Sequence, residues 1–408
     1  MTTMPRTVRA FPSDTVRARA WVWLRAGTQV AALLLVAWAL DANAFGRYAT
    51  ALAIAAMIAP LFVAGPAYVY LDSHPAFGCT RDQLATVWRR MLFVFGFPAA
   101  LLVPLCMGAL AGDWAGAGLW FFLGLAQVML AGFGEMRARF HETEGEPDAL
   151  GLWLLLPHLA QLAGLLALLA GGGITLPNVV ALTFATTLVI ALVGARRVPR
   201  KDAPRALDAL ARLLRTGLRF GNGHLANRII ADADKPFLAR LAHPAAAGGV
   251  FVAQRVAELF CLPLRSVVAS SLPRLLDAAP GERAPLWRQS AALPALYALF
   301  AGGALFAMAP LLERLGPGFG IAAAALRWMC WLPLLAFARG MLGNAAVVAG
   351  RHAAALRGQW FGAIARVAGT LALVSLYGWQ GAIASLLFAE LVAILYLALA
   401  MRPARTAA

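Results

Sequence analysis

Residues Ile229–Leu241 read IIADADKPFLARL, and this stretch decides how many times the chain crosses a membrane. It sets Asp232, Asp234, Lys235 and Arg240 inside a sequence of 408 residues that is 61% hydrophobic and only 13% charged. Long apolar runs recur along the whole length, the pattern of a polytopic membrane protein. A helical span needs about 20 mostly apolar residues. Candidates lie near 21–40, 48–70, 90–111, 115–135, 149–171, 175–194, 218–240, 246–270, 289–312, 322–349, 357–377 and 380–400. Of these, only 218–240, which carries the opening stretch, is too charged to pass on hydropathy.

The placement of positive charge arbitrates, because cytoplasmic loops collect Lys and Arg. With every candidate counted and both termini cytoplasmic, the inside segments hold Arg6, Arg9, Arg81, Arg89, Arg90, Arg137, Arg139, Arg196, Arg197, Arg200, Arg274, Arg283, Arg351 and Arg402, among others. The outside segments keep only Arg47, Arg240 and Arg314. Removing the charged span would invert every loop after it, so the polar segment is expected to cross. This placement also accounts for the net charge of +16, and no aromatic interleaving or binding module accompanies it, so no nucleic-acid partner is expected. Ala42-Asn43-Ala44 has the spacing of a signal-peptidase site, but the basic leader and Arg25 within the first run point to a retained helix. Cys79, Cys106, Cys261 and Cys330 stand singly, without spacing for a disulfide framework or a metal site.

The expected fold is an all-α polytopic membrane protein of about twelve transmembrane helices in two six-helix bundles. Residues 1–195 would form one lobe and 218–408 the other. Residues 196–217 would be a basic cytoplasmic linker whose DALARLLRTGLRF part suits an amphipathic helix on an anionic leaflet. Both halves start on the same side, which predicts a pseudo-two-fold axis normal to the membrane. The register that lays Gly46 on Gly249 also lays Tyr48 on Phe251, Pro60 on Pro263 and Arg25 on Arg228.

On a helix of about 100° per residue, His224, Arg228, Asp232 and Lys235 share one narrow stripe, with Asp234 turned away. A charge at the bilayer centre costs about 2.5–3.5 kcal/mol on insertion scales, so the stripe needs partners or a wet cavity. Pro236 removes a backbone donor and is expected to kink the helix. Arg255 and Glu258 follow on the eighth span, Arg25 stands on the first, and Arg339, Arg366 and Glu390 lie deeper, with Arg366 and Glu390 expected as a packing pair. A cavity lined by Arg25, Arg228, Lys235, Arg255 and His224 suits an anionic substrate, and guanidinium groups suit phosphate through paired hydrogen bonds. Asp232, Asp234, Glu258 and Glu390 would balance charge or hold a coupling Na+ or H+. No catalytic group, metal or further cofactor is expected.

The segment NRIIADADKPFLARLAHPAAAGGVFVAQRV, Asn227–Val256, resembles the seventh and eighth spans of Wzx-type polysaccharide flippases of the MOP (multidrug/oligosaccharidyl-lipid/polysaccharide) exporter superfamily, and FGRYA near the first outer loop is similar to that family's first repeat. Asp234-Lys235 matches the family's acidic–basic pair, and Phe251 stands where tyrosine is commoner. The resemblance implies two six-helix bundles in a V and transport of an undecaprenyl-diphosphate-linked oligosaccharide across the bacterial inner membrane for O-antigen lipopolysaccharide or exopolysaccharide. It also implies membrane lipids, a polysaccharide polymerase and glycosyltransferases as partners. The alternatives are a cation-coupled drug or metabolite antiporter of the same superfamily, which would favour an acidic cavity, and a membrane enzyme of polysaccharide assembly, which would need a larger outer loop or a catalytic cluster.

Overall fold

The computed structural model describes residues 12–72, 80–197, 207–279 and 281–402, and nearly all of them are helical. Among the described residues, ten helices are long and apolar enough to cross a membrane. Two features bring the spans to the twelve expected. The segment around Ile229 is helical but too charged to be counted among the ten. The last helix, His352–Ala400, is two helices joined at Gly378, whose φ of 54° no other residue type adopts readily.

In chain order the spans are α1 (Pro12–Ala39), α2 (Ala42–Leu71), α3 (Arg81–Ala111), α4 (Ala117–Glu144), α5 (Pro147–Ala170) and α6 (Leu176–Arg197). They continue as α7 (Leu207–Asp232, extended by Asp234–Leu241), α8 (Pro244–Asp277), α9 (Arg283–Glu313), α10 (Pro317–Val348), α11 (352–377) and α12 (379–400). Helices α2 and α8 begin after side-chain caps, Asp41 and His243, and each carries its internal proline, Pro60 or Pro263. Their starts agree within one residue with the register that pairs Gly46 with Gly249.

Proline sets the breaks. Pro66 cannot donate to the carbonyl four residues back, and the ring crowds it. Helix α2 accordingly loosens at Val63, and the carbonyl of Phe62 accepts instead from Trp88 Nε1 at 3.3 Å. Pro236 does the same to Asp232, and α7 breaks at Ala233. This break falls inside the stripe drawn from Arg228 to Lys235, where Pro236 was expected to kink the helix.

A correction concerns the amphipathic stretch, which is the first part of α7 itself, continuous from Leu207. Leu210 and Leu213 pack into a buried cluster with Val69, Tyr70, Leu84 and Trp88 rather than onto a lipid surface. The rest of the basic linker, 198–206, lies outside the described residues.

Helix α2 holds the two halves together at both of its ends. Near its start, a Cβ on Gly46 would lie 1.9 Å from the carbonyl oxygen of Pro244, so α2 and α8 touch backbone to backbone there. Near its end, a Cβ on Gly65 would lie 2.2 Å from the carbonyl oxygen of Gly217, which brings α2 equally close to α7. Such contacts need small residues, the usual means of tight helix packing in a membrane.

Candidate functional site

Beside this packing of α2 the two halves border a cavity. It has two adjoining compartments, of about 450 Å³ and 590 Å³, which share Arg25, Gln29, Gln127, His158, Gln161 and Arg228. The first also meets Tyr48, Phe251, Arg255 and Glu258; the second meets Tyr68, Glu135, Arg139, Glu142 and His224. Five of the residues singled out from sequence therefore line it: Arg25, Arg228, Arg255, His224 and Glu258.

The charges around it fall into distinct groups. Arg255 donates from Nη2 to both oxygens of Asp232, at 2.8 and 3.1 Å, and from Nη1 to Glu258 at 2.7 Å. Its guanidinium lies over the ring of Phe251, 4.5 Å from the centroid, a cation–π contact that holds the plane of the fork. Arg228 Nη1 stands 3.7 Å from Asp232, and its side chain is 43% exposed while that of Asp232 is fully buried. Across the cavity Arg139 binds Glu135 and Glu142, each at 2.5 Å. Arg25 forms no hydrogen bond or ion pair with any described residue.

Behind the cavity wall lies a dry network. Lys235 Nζ is 2.8 Å from Asp234 and donates to the carbonyl of Ala231 at 2.7 Å and to Gln254. Arg366 Nη2 is 2.9 Å from the same Asp234 oxygen, and Arg366 Nη1 donates to Ala382 and Ser385. Asp234, Lys235 and Arg366 have no exposed surface. Glu390 is likewise buried, and Arg339 holds it at 2.6 Å while also binding Asn227 on α7 at 2.6 Å.

These positions correct part of the sequence reading. Lys235 is not a cavity cation: it pairs with Asp234 of its own helix. Asp234 and Glu390 balance charge away from the cavity lining, in interhelical pairs with Arg366 and Arg339 that fix packing. The partner of Glu390 is Arg339, and that of Arg366 is Asp234. Asp232 lies between the two systems, bonded to Arg255 and 3.8 Å from Lys235.

Sequence reasoning built on charge missed the neutral polar wall. Gln29 Nε2 and His158 Nε2 are 2.7 Å apart across α1 and α5; Gln161 donates to Thr183 at 3.0 Å and lies 3.5 Å from the hydroxyl of Tyr48. On the other side of the cavity His224 stacks on Tyr68, with ring centroids 5.4 Å apart and the hydroxyl 3.2 Å from Nε2. The signal was available: Gln29 stands one turn after Arg25, and Gln161 three residues after His158, spacings that put each pair on one helix face. Outside the cavity, His141, Glu144 and Glu146 come together at the turn between α4 and α5, His141 Nδ1 lying 2.6 Å from Glu146.

The architecture matches that of transporters in the MOP superfamily. An inward-facing MATE-family multidrug resistance transporter of that superfamily superposes with a TM-score of 0.68 at 16% identity, over 96% of this chain and 95% of that one. The lipid II flippase MurJ in an inward closed conformation gives 0.73 at 11% identity, over 94% and 88%. The MATE multidrug transporter DinF-BH, solved in complex with R6G, gives 0.67 at 13% identity, over 98% of both chains. The chain matches no family model and no curated protein sequence. At these identities the likeness establishes the fold: two six-helix lobes of a multi-pass membrane protein, shared by drug transporters and a lipid flippase.

Proposed function

We propose that this chain translocates an undecaprenyl-diphosphate-linked oligosaccharide across the bacterial inner membrane, supplying O-antigen or exopolysaccharide assembly. It would do so by alternating access around the central cavity, with no covalent chemistry of its own. The observation that carries this reading is the balance of charge in that cavity. Every carboxylate lining it is bound by an arginine, Glu258 by Arg255 and Glu135 and Glu142 by Arg139. Arg25 has no counter-ion within ion-pair distance among the described residues, and Arg228 has only a 3.7 Å approach to Asp232. Two such guanidinium groups at membrane depth invite a diphosphate, which each can grip with two parallel hydrogen bonds.

The antiporter reading meets the opposite difficulty, since a cationic drug would find the cavity acids already occupied. A coupling Na+ or H+ would act at Asp232 or Glu258 and would have to release Arg255 to do so. A polymerase and glycosyltransferases are the partners this role requires.

The test is lipid flipping in proteoliposomes that hold the purified chain, using fluorescent undecaprenyl-diphosphate oligosaccharide and an impermeant quencher. Wild-type protein should move the lipid. Arg25→Ala and Arg228→Ala should reduce movement at least tenfold per folded molecule. Transport of a lipophilic cation with no movement of the glycolipid would transfer the protein to the antiporter class.

A further inference from the structure

We infer that Gln29, Gln127 and Gln161 form a neutral saccharide subsite beside the arginines, so that one wall of the cavity reads sugar hydroxyls while Arg25 and Arg228 take the diphosphate. The inference rests on the proposed glycolipid substrate and adds where its sugars lie.

Three observations converge. First, the three amides come from different helices, α1, α4 and α5, yet all line both compartments. An amide at membrane depth is costly unless it is hydrogen-bonded or wet, and three arriving together mark a polar surface rather than a packing accident. Second, Gln127 lies in a π-helical turn, Leu125–Leu130, within α4. The wider turn shifts the angular position of the residues after it, and such turns recur at functional sites. Its neighbours Ala126 and Val128 are buried, and Gln127 is the polar residue that this turn brings to the cavity. It forms no hydrogen bond with any described residue, so the turn presents it to something other than the protein.

Third, the bonds the other two amides make leave a consistent set of atoms. Gln161 commits its nitrogen to Thr183, and Gln29 commits its nitrogen to His158 where the ring nitrogen is unprotonated. The carbonyl oxygen of each is then the atom offered to a ligand, and a carbonyl oxygen accepts from hydroxyl donors. Tyr48, beside Gln161, adds an aromatic flank. Acceptors for hydroxyls set beside guanidinium donors complement a polyol joined to a diphosphate.

Binding in lipid nanodiscs tests this with three probes: undecaprenyl diphosphate, the same lipid carrying a neutral tetrasaccharide, and the free tetrasaccharide. Wild type should hold the glycosylated lipid more tightly than the bare one. Each of Gln29→Leu, Gln127→Leu and Gln161→Leu should shrink that advantage by about two- to tenfold, the worth of a hydrogen bond, and leave affinity for the bare lipid unchanged. Arg228→Ala should weaken both lipids. Gln127→Leu removes no internal bond, so it carries the test should Gln161→Leu fail to accumulate.

Glutamine variants that bind the glycosylated lipid like wild type, or that lose bare and glycosylated lipid equally, would overturn the subsite while leaving the flippase reading in place. Glutamine-dependent binding of free tetrasaccharide without binding of the bare lipid would support the subsite and reject the diphosphate. Binding of none of the three probes would remove both.

Discussion

Arg255 Nη2 reaches both carboxylate oxygens of Asp232 from the next helix, at 2.8 and 3.1 Å, and no other cation among the described residues comes within 3.5 Å of that buried group. Arg255→Ala should therefore strand Asp232, because Arg228 at 3.7 Å and Lys235 at 3.8 Å are too far to hydrogen-bond without movement. Breaking a buried pair from one side costs about 3–5 kcal/mol. The expected result is a lower unfolding temperature of the detergent-solubilised protein, largely restored when Asp232→Asn is added. An Arg255→Ala protein as stable as wild type would mean that Asp232 re-pairs within the cavity wall.

Arg25 and Arg366 are both intramembrane arginines, and the structure separates their roles. Arg366 is fully buried against Asp234, whereas Arg25 lines the cavity without a bonded partner. Arg366→Ala should lower the yield of folded protein, again by about 3–5 kcal/mol of stability, with transport per folded molecule little changed in whatever survives. Arg25→Ala should stay within about 0.5 kcal/mol of wild type in stability and lose transport. Thermal unfolding and flipping assays on the same two preparations decide the matter, and a reversal of the two patterns would exchange cavity and core.

The fold was legible because a span announces itself by composition and the loops by their charge. Even the exceptional seventh span followed, since deleting it would have inverted every loop after it. The cavity was only half legible. Arg25, Arg228, Arg255, Glu258 and His224 could be picked out because a charge in an apolar run needs a reason. Lys235 looked the same in sequence but is core, held by Asp234 and Gln254; Glu390 was legible as a packing residue, and what the sequence lacked was its partner, Arg339. The glutamines were passed over for the opposite reason. An amide costs less than a charge and gives no signal until three helices are seen to bring their amides to one wall. Pairings such as Arg366 with Asp234 join spans far apart in the chain, and no local pattern specifies them.

The topology has its own test at the short turn between α7 and α8, where Ala242 follows the last helical residue of α7. With twelve crossings and cytoplasmic termini, a reporter fused after Ala242 should read as periplasmic, and one fused after Arg402 as cytoplasmic. A cytoplasmic signal at Ala242 would take α7 out of the membrane and overturn the placement of Arg228 at membrane depth.

The two glycine contacts of α2 yield the last prediction. Gly46 meets the backbone of Pro244 on α8, and Gly65 meets the backbone of Gly217 on α7, at opposite ends of one helix. A methyl group at either position would fall within about 2 Å of a carbonyl oxygen, 1.9 Å for Gly46 and 2.2 Å for Gly65. Backbone cannot rotate away as a side chain does, so the helices must part. Overpacking of this kind costs about 1–3 kcal/mol, enough to shift a two-state equilibrium by roughly a factor of 5 to 150 if only the closed arrangement at that end bears it. Gly46→Ala should favour opening at the end where α2 begins, and Gly65→Ala at the other. A cysteine placed at Gln127 in a chain with Cys79, Cys106, Cys261 and Cys330 replaced by serine would report the change through an impermeant thiol reagent added to right-side-out or inverted vesicles. Labelling from the periplasmic side should rise with Gly46→Ala, and labelling from the cytoplasmic side with Gly65→Ala. If both variants changed labelling from the same side, the contacts would be packing joints and not the two ends of an alternating gate.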